Sequence, residues 1–249
     1  MPFTYRQNEI LELLKEKKHA KISDISKSIF VSDATVRREL TELEKLGLVK
    51  RDHGGAVILE SADEISIFVR QKIDTIEKEA TAQIAVGKLP DFKTVFIDNS
   101  STAFIYSTRL NLNFKSVVTN GLMLAGELST KKDVNITILG GQYDYNTTST
   151  TGPVAVRTLR ELRFDLCICS CAAIDLNGVY EGSVHQSAIK QEAMKYSAHK
   201  ILLVDRTKFN TNAMYCTSYA HDFDAIFTNA DDKTLEPYRA LEGVNIINK

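Results

Sequence analysis

Apolar positions near the N-terminus recur at helical spacing. Ile10, Leu11 and Leu14 interrupt a charged background and predict a first amphipathic helix over residues 6–18. Ser23 is placed to cap a short second helix that buries Ile25 and Ile29, and Phe30-Val31 supplies apolar anchors for a tight turn. Ser32 predicts the N-cap of a third helix with Asp33 in its first turn. Val36, Leu40, Leu43 and Leu46 form its inward stripe, and Gly47 stops it. The pattern then changes to short strands at 48–51 and 56–59, joined by Asp52-His53-Gly54-Gly55. Three short helices followed by a hairpin make the plan of a winged helix-turn-helix.

Beyond the hairpin, residues 61–88 read as helix-rich and charged, with Ile65, Phe68, Ile73 and Ile76 as apolar contacts and a further helix near 78–88. Apolar runs at 94–98, 115–119, 135–139, 165–171, 200–205, 225–228 and 244–247 predict strands. Helices are predicted at 102–110, 122–129, 153–163 and 186–198. Such alternation argues for a mostly parallel sheet covered by helices. The expected organisation is a winged helix-turn-helix domain at 1–59, a helical linker at 60–77 and an α/β domain at 78–249.

Composition narrows the classes. The chain has 249 residues, 43% of them hydrophobic, which is enough for a small domain plus a medium one. No run approaches the ~18–20 apolar residues that cross a bilayer, so no membrane partner is expected. The first residues lack a signal peptide's apolar centre, so a cytoplasmic location is the expectation. Four cysteines do not resemble a secreted disulfide framework. Cys167, Cys169 and Cys171 would share one face of a strand as small buried hydrophobes; no metal site and no cofactor are expected.

Net charge is −1, but residues 1–57 hold 11 Lys+Arg against 9 Asp+Glu, and the remainder 20 against 23. So weak an asymmetry leaves position to decide. At ~100° per residue, Ala34, Arg38, Thr41 and Lys45 lie opposite the apolar stripe, flanked by Thr35 and Arg37. A recognition helix meets base edges with its N-terminal residues, where Ser32, Asp33, Ala34 and Thr35 are small. Arg37 and Arg38 reach phosphates or guanine edges, and Lys50, Arg51, His53, Gly54 and Gly55 form a basic wing. The bland alternative is a solvated helix face with local pairs such as Arg38 with Glu42; the surrounding cap, stripe and hairpin favour double-stranded DNA.

The run VSDATVRRELTELEKLGLVKRDHGGA resembles the signature of the DeoR family of bacterial transcription regulators: valine-serine, threonine, paired arginines, a leucine-spaced helix and a closing His-Gly-Gly-Ala.

Ligands of open α/β sheets bind outside the carboxyl ends of strands. Polar clusters fall there: Asp98 to Thr102, Thr119-Asn120-Gly121, Gly140-Gly141, and Asp205 to Lys208, with Lys190 as an added cation. Their recurrence points to a shared pocket. The same clusters resemble the DeoR C-terminal domain, whose Rossmann-like fold is similar to ribose-5-phosphate isomerase and glucosamine-6-phosphate deaminase. That resemblance implies effector binding and oligomerisation by the second domain. It implies a phosphorylated sugar as effector at Asp98, Ser100, Ser101, Thr102, Thr119, Asn120, Gly140, Gly141, Lys190, Asp205 and Lys208. Ser100, and Ala172-Ala173, stand where members usually carry glycine. The function implied is a repressor of carbohydrate genes acting as a homodimer or homotetramer. The alternatives are a sugar-phosphate isomerase or deaminase, or a regulator with a degenerate pocket. No catalytic pair is placed, and His185 and His199 stand alone.

Overall fold

A capping box opens the first helix: the Thr4 hydroxyl accepts the Gln7 amide at 3.2 Å while the Gln7 side chain accepts the Thr4 amide at 3.0 Å. The computed structural model describes residues 4–45, 48–52, 54–58 and 67–249. The chain divides into two units, 1–73 and 74–249.

In the first unit, α1 (Tyr5–Lys17), β1 (His19–Lys21), α2 (Ile22–Ser28) and α3 (Asp33–Lys45) precede a hairpin of β2 (Val49–Arg51) and β3 (Gly55–Ile58) and a short α4 (Ile67–Arg70). Ile10, Leu14, Ile25, Val36, Leu40 and Leu43 are fully buried, each worth about 1.5–3 kcal/mol of transfer free energy. The expected helical stripes therefore form the core.

Three details correct the sequence reading. Ser23 does not cap α2: the helix starts at Ile22 behind Lys21, without a side-chain cap, and the Ser23 hydroxyl faces Asp24. The cause is β1, which runs to Lys21 and sets the entry to the helix. Phe30 is no anchor, because it sits 93% exposed at φ 55°. Ile29 is buried instead, and the Ser26 hydroxyl closes the turn on the Val31 carbonyl at 2.6 Å. Phe68 and Ile76, expected as apolar contacts, are exposed as well. Leu46, Gly47, Leu59 and Ile65 lie outside the described residues.

β1 adds a third strand beside the hairpin, in the order β1-β3-β2. Gly55 faces Ala20 so closely that a Cβ there would stand 2.2 Å from the Ala20 carbonyl oxygen. Val69 belongs to the first unit's core and Ile73 packs against it.

The second unit runs α5 (Thr75–Ala85), β4 (Thr94–Ile97), α6 (Ser101–Ser107), β5 (Ser116–Thr119), α7 (Leu122–Leu128) and β6 (Asn135–Ile138). The hairpin β7 (Gln142–Asp144) and β8 (Ser149–Thr151) leads to α8 (Pro153–Arg160), β9 (Phe164–Ser170), β10 (Ala173–Asp175) and β11 (Gly178–Glu181). Then come α9 (Val184–Lys195), β12 (Ser197–Leu203), β13 (Tyr215–Ser218), β14 (Ala225–Phe227), α10 (Asp232–Arg239) and β15 (Ile246–Ile247).

A seven-stranded parallel sheet takes the order β15-β14-β12-β9-β4-β5-β6, built from the seven runs read as strands. Both faces of its central strands are buried, which is why these read as apolar runs, while the edge strand β6 is largely exposed. Phe96, Cys167, Cys169, Leu202 and Ile226 meet α8, α9 and α10 on one face. Val95, Ile97, Leu166, Ile168 and Leu203 meet α5, α6 and α7 on the other.

Candidate nucleic-acid interface and sensor site

The N-terminus of α3 is shaped by Ser32, whose hydroxyl accepts the Thr35 amide at 3.2 Å and lies 3.0 Å from the Thr35 hydroxyl. Asp33, Ala34, Arg37 and Arg38 follow as exposed residues. Arg38 holds a guanidinium nitrogen 3.6 Å from Glu39, and Arg6 approaches the same carboxylate at 3.8 Å. Glu39 is buried. It escaped sequence reading because a glutamate beside two arginines looks like surface.

Thr41 and Arg51 were expected to face DNA, yet they hold each other. Arg51 donates to the Thr41 hydroxyl at 2.5 Å, and its amide donates to Glu44 at 2.8 Å. The pair fastens β2 to α3. Lys50 is exposed, and so is Gly54, with open space around it. Asp52 shapes the wing turn by accepting the Gly54 and Gly55 amides at 3.1 and 2.7 Å. Those two backbone donors hold its carboxyl below the usual value. His53 lies outside the described residues.

In the second unit the strand order reverses between β4 and β9, because the chain goes from β4 outward to β6 and then returns to β9. Asp98 follows β4 and is 1% exposed. It accepts the Ser170 amide at 3.1 Å and the Lys190 ammonium at 2.8 Å. Lys190 also donates to the Ser170 carbonyl and to Glu181. Its three hydrogens are thereby committed. Burial pulls the Lys190 ammonium down, but the Asp98 and Glu181 carboxylates outweigh it and hold the group above the ordinary lysine value. Glu181 was missed because β11 was not read as a strand.

The remaining expected residues are spread along the strand ends. Ser100 donates to Asp98 at 2.5 Å and caps α6 by accepting the Ala103 amide at 3.2 Å. Ser101 and Thr102 are buried in the first turn of α6, and Thr119 accepts the Gly121 amide at 3.0 Å. Asn120 donates to the Thr150 carbonyl and to Gln186, both at 3.2 Å, while its Oδ1 is buried without a partner. Asp205 accepts the Thr207 amide at 3.0 Å through Oδ1, and its Oδ2 is likewise buried without a partner. Lys208 is half-buried.

Gly140 and Gly141 lie exposed beyond β6. Gly141 has φ 153°, and a Cβ would meet the Thr151 carbonyl oxygen at 2.4 Å. The structure thus brings Asp98, Ser100 and Lys190 together but separates Asn120 from Asp205 by three strand spacings, ~14 Å. The polar run 143–151 forms most of the β7–β8 hairpin. Asn99 donates to the Thr147 carbonyl at 2.7 Å and Gln186 to the Ser149 hydroxyl at 2.8 Å.

Cys167, Cys169 and Cys171 are buried on the α9 face. Among the described residues no group of His, Cys, Asp and Glu could hold a metal ion, and no helix is long and apolar enough to cross a membrane.

The description "DeoR-like helix-turn-helix domain" fits residues 6–62, and "DeoR C terminal sensor domain" fits residues 73–230. The chain is 31% identical to the glycerol-3-phosphate regulon repressor of Escherichia coli K12, covering 92% of each chain. It is 30% identical to the lactose phosphotransferase system repressor of Lactococcus lactis, over 90% of each. It is 28% identical to the HTH-type transcriptional regulator GolR of Listeria innocua, over 90% of this chain and 89% of that one. Ribose 5-phosphate isomerase A of Neisseria gonorrhoeae matches 57% of this chain and 55% of its own, at TM-score 0.40 and 15% identity.

Proposed function

Since the chain belongs to the DeoR family of DNA-binding transcription regulators, we propose that it is a cytoplasmic repressor of carbohydrate genes, released or strengthened by a phosphorylated sugar. Ala34, Thr35, Arg37 and Arg38 read base edges, and Lys50 steadies the wing on phosphate. Thr41 and Arg51 act indirectly, by fixing the wing to α3. A homodimer or homotetramer places two such heads on a two-fold operator.

The observation that carries the effector reading is the pair of buried acceptors without partners, Asn120 Oδ1 and Asp205 Oδ2, beside the Asp98–Lys190–Glu181 cluster. A buried acceptor left bare costs about 1–3 kcal/mol, and a sugar hydroxyl is the donor that relieves it. Their separation assigns them to different parts of a ligand or to different ligand contacts. Lys190 organises the cluster rather than gripping phosphate, since its hydrogens are spent on protein oxygens. An effector changes operator affinity only through unequal affinity for the DNA-competent and DNA-incompetent states.

The test is a band shift on the region upstream of the chain's own gene, with glycerol 3-phosphate and hexose phosphates added in turn. Sequence-preferring, salt-sensitive binding that one of these compounds shifts at least fivefold is expected, with the shift lost in Asp205→Asn. Binding indifferent to sequence would sink the regulator reading; an unaltered effector response in Asp205→Asn would sink the assignment of that residue.

A further inference from the structure

A cavity of about 560 Å³ opens at the other end of the sheet from Asp98 and Asp205, beside the start of β14. Its lining includes Lys195 at the end of α9, Lys200 of β12, Ser218 of β13, and His221, Asp222 and Asp224 from the segment that enters β14. Met194 and Phe223, both buried, give it an apolar floor. The volume lies in the range of pockets that hold small metabolites.

Its charges are arranged in an unusual way. Cations and carboxylates line one space, yet no ion pair joins Lys195 or Lys200 to Asp222 or Asp224 among the described residues; Asp224 instead faces His199 at 3.8 Å. Backbone donors fix the carboxylates from behind: the Tyr219 amide reaches Asp222 at 2.7 Å and the Lys200 amide reaches Asp224 at 2.7 Å. The His221 ring is held flat against Tyr219, with centroids 5.4 Å apart. Ser218 is 7% exposed, and its hydroxyl is buried without a partner. Opposite charges held apart around a cavity, together with a buried unpaired hydroxyl, are complemented by a molecule that bears both signs.

We propose that this cavity is a second ligand site, for a small zwitterion such as an amino acid or an amino-sugar phosphate. The acid group lies toward Lys195 and Lys200, the ammonium toward Asp222 and Asp224, and a hydroxyl or carboxylate of the ligand completes Ser218. The site is separate from the strand-end cluster, so the two are testable apart.

Isothermal titration on the full chain uses a matched pair, glucosamine 6-phosphate and glucose 6-phosphate, plus the common free amino acids. At least one zwitterion is expected to bind, tenfold or more tighter than an amine-free counterpart of the same skeleton. Lys200→Ala and Asp224→Asn are each expected to weaken it at least tenfold, while Asp205→Asn leaves it unchanged. Response to the amino sugar alone, or to an amino acid alone, names the source. No binding by any probe overturns the proposal, as does equal binding of the matched pair or retention of affinity in both cavity variants. Loss on Asp205→Asn reassigns the ligand to the strand-end cluster. Should a variant fail to fold, the matched-pair comparison on the unaltered chain still decides.

Discussion

Lys190→Met would leave Asp98 and Glu181 buried beside each other with no cation between them. Removing one partner of a buried ionic cluster costs about 3–5 kcal/mol, mostly as the penalty of the charge left behind. Urea titration of Lys190→Met should show that loss, and adding Asp98→Asn should recover part of it; no loss would mean the ammonium is dispensable. Because the Lys190 pKa is raised in the folded chain, its contribution is complete below the ordinary lysine value of ~10.4 and is lost only above it. Stability owed to this cluster should therefore be flat between about pH 6 and 9. Sequence reading named Lys190 as a cation of the site but not its companion Glu181, which sits on a four-residue strand that pairs with partners remote in sequence. Arg37 and Arg38 are exposed instead, and the buried Glu39 that Arg38 approaches is also approached by Arg6. Arg37→Ala should leave the melting temperature within about 1 °C, Arg38→Ala should lower it somewhat more because Glu39 keeps only Arg6, and either should weaken operator binding by about 1–3 kcal/mol where the arginine makes a bidentate base contact. Fluorescence anisotropy with a labelled operator measures this.

At the scale of elements, what was legible depended on burial. The central strands of the large sheet are covered on both faces and announce themselves as apolar runs such as Phe164–Ser170. β1, β7, β8 and β10 have three residues each and take their identity from a partner strand, a signal that no local window contains. α10 was also missed, because Pro237 lies inside it; Asp231 secures its start by accepting the Thr234 amide at 2.8 Å. The wing turn carries a pH signature. The Asp52 carboxyl is held below its unfolded value of about 3.9, so its contribution is present above that pH and disappears as acid takes the folded group through its own value. Amide signals of Gly54 and Gly55 should stay protected at pH 5 and lose protection only as the pH falls below the ordinary aspartate value of ~3.9. In Asp52→Ala that protection should be weak at both; equal protection in the variant would remove the turn's dependence on this carboxylate.

For the whole molecule, a net charge of −1 means that attraction to DNA comes from placement rather than from total charge. Operator affinity should fall steeply with salt, and Lys50→Ala should reduce the log–log slope by about one if that lysine meets a phosphate. Sedimentation equilibrium should find a dimer or tetramer; a monomer that binds a single half-site with undiminished affinity would contradict the two-fold arrangement. The two-unit organisation was legible from the change of period along the chain, whereas the cavity near β14 was not. Its lining comes from α9, β12, β13 and the entry to β14, which only folding brings together.

The pairing of His19–Lys21 with Gly55–Val57 has a consequence for how the protein can be switched. With β1 stitched between α1 and α2, and with Arg51 tied to Thr41, the hairpin has no hinge of its own within the described residues. Deuterium should enter the backbone amides of β3 and those of α1 at one common rate, set by the opening of the whole first unit. Control of transcription would then be exercised on where an intact reading head is carried, because the described residues of the head offer no smaller moving part to regulate.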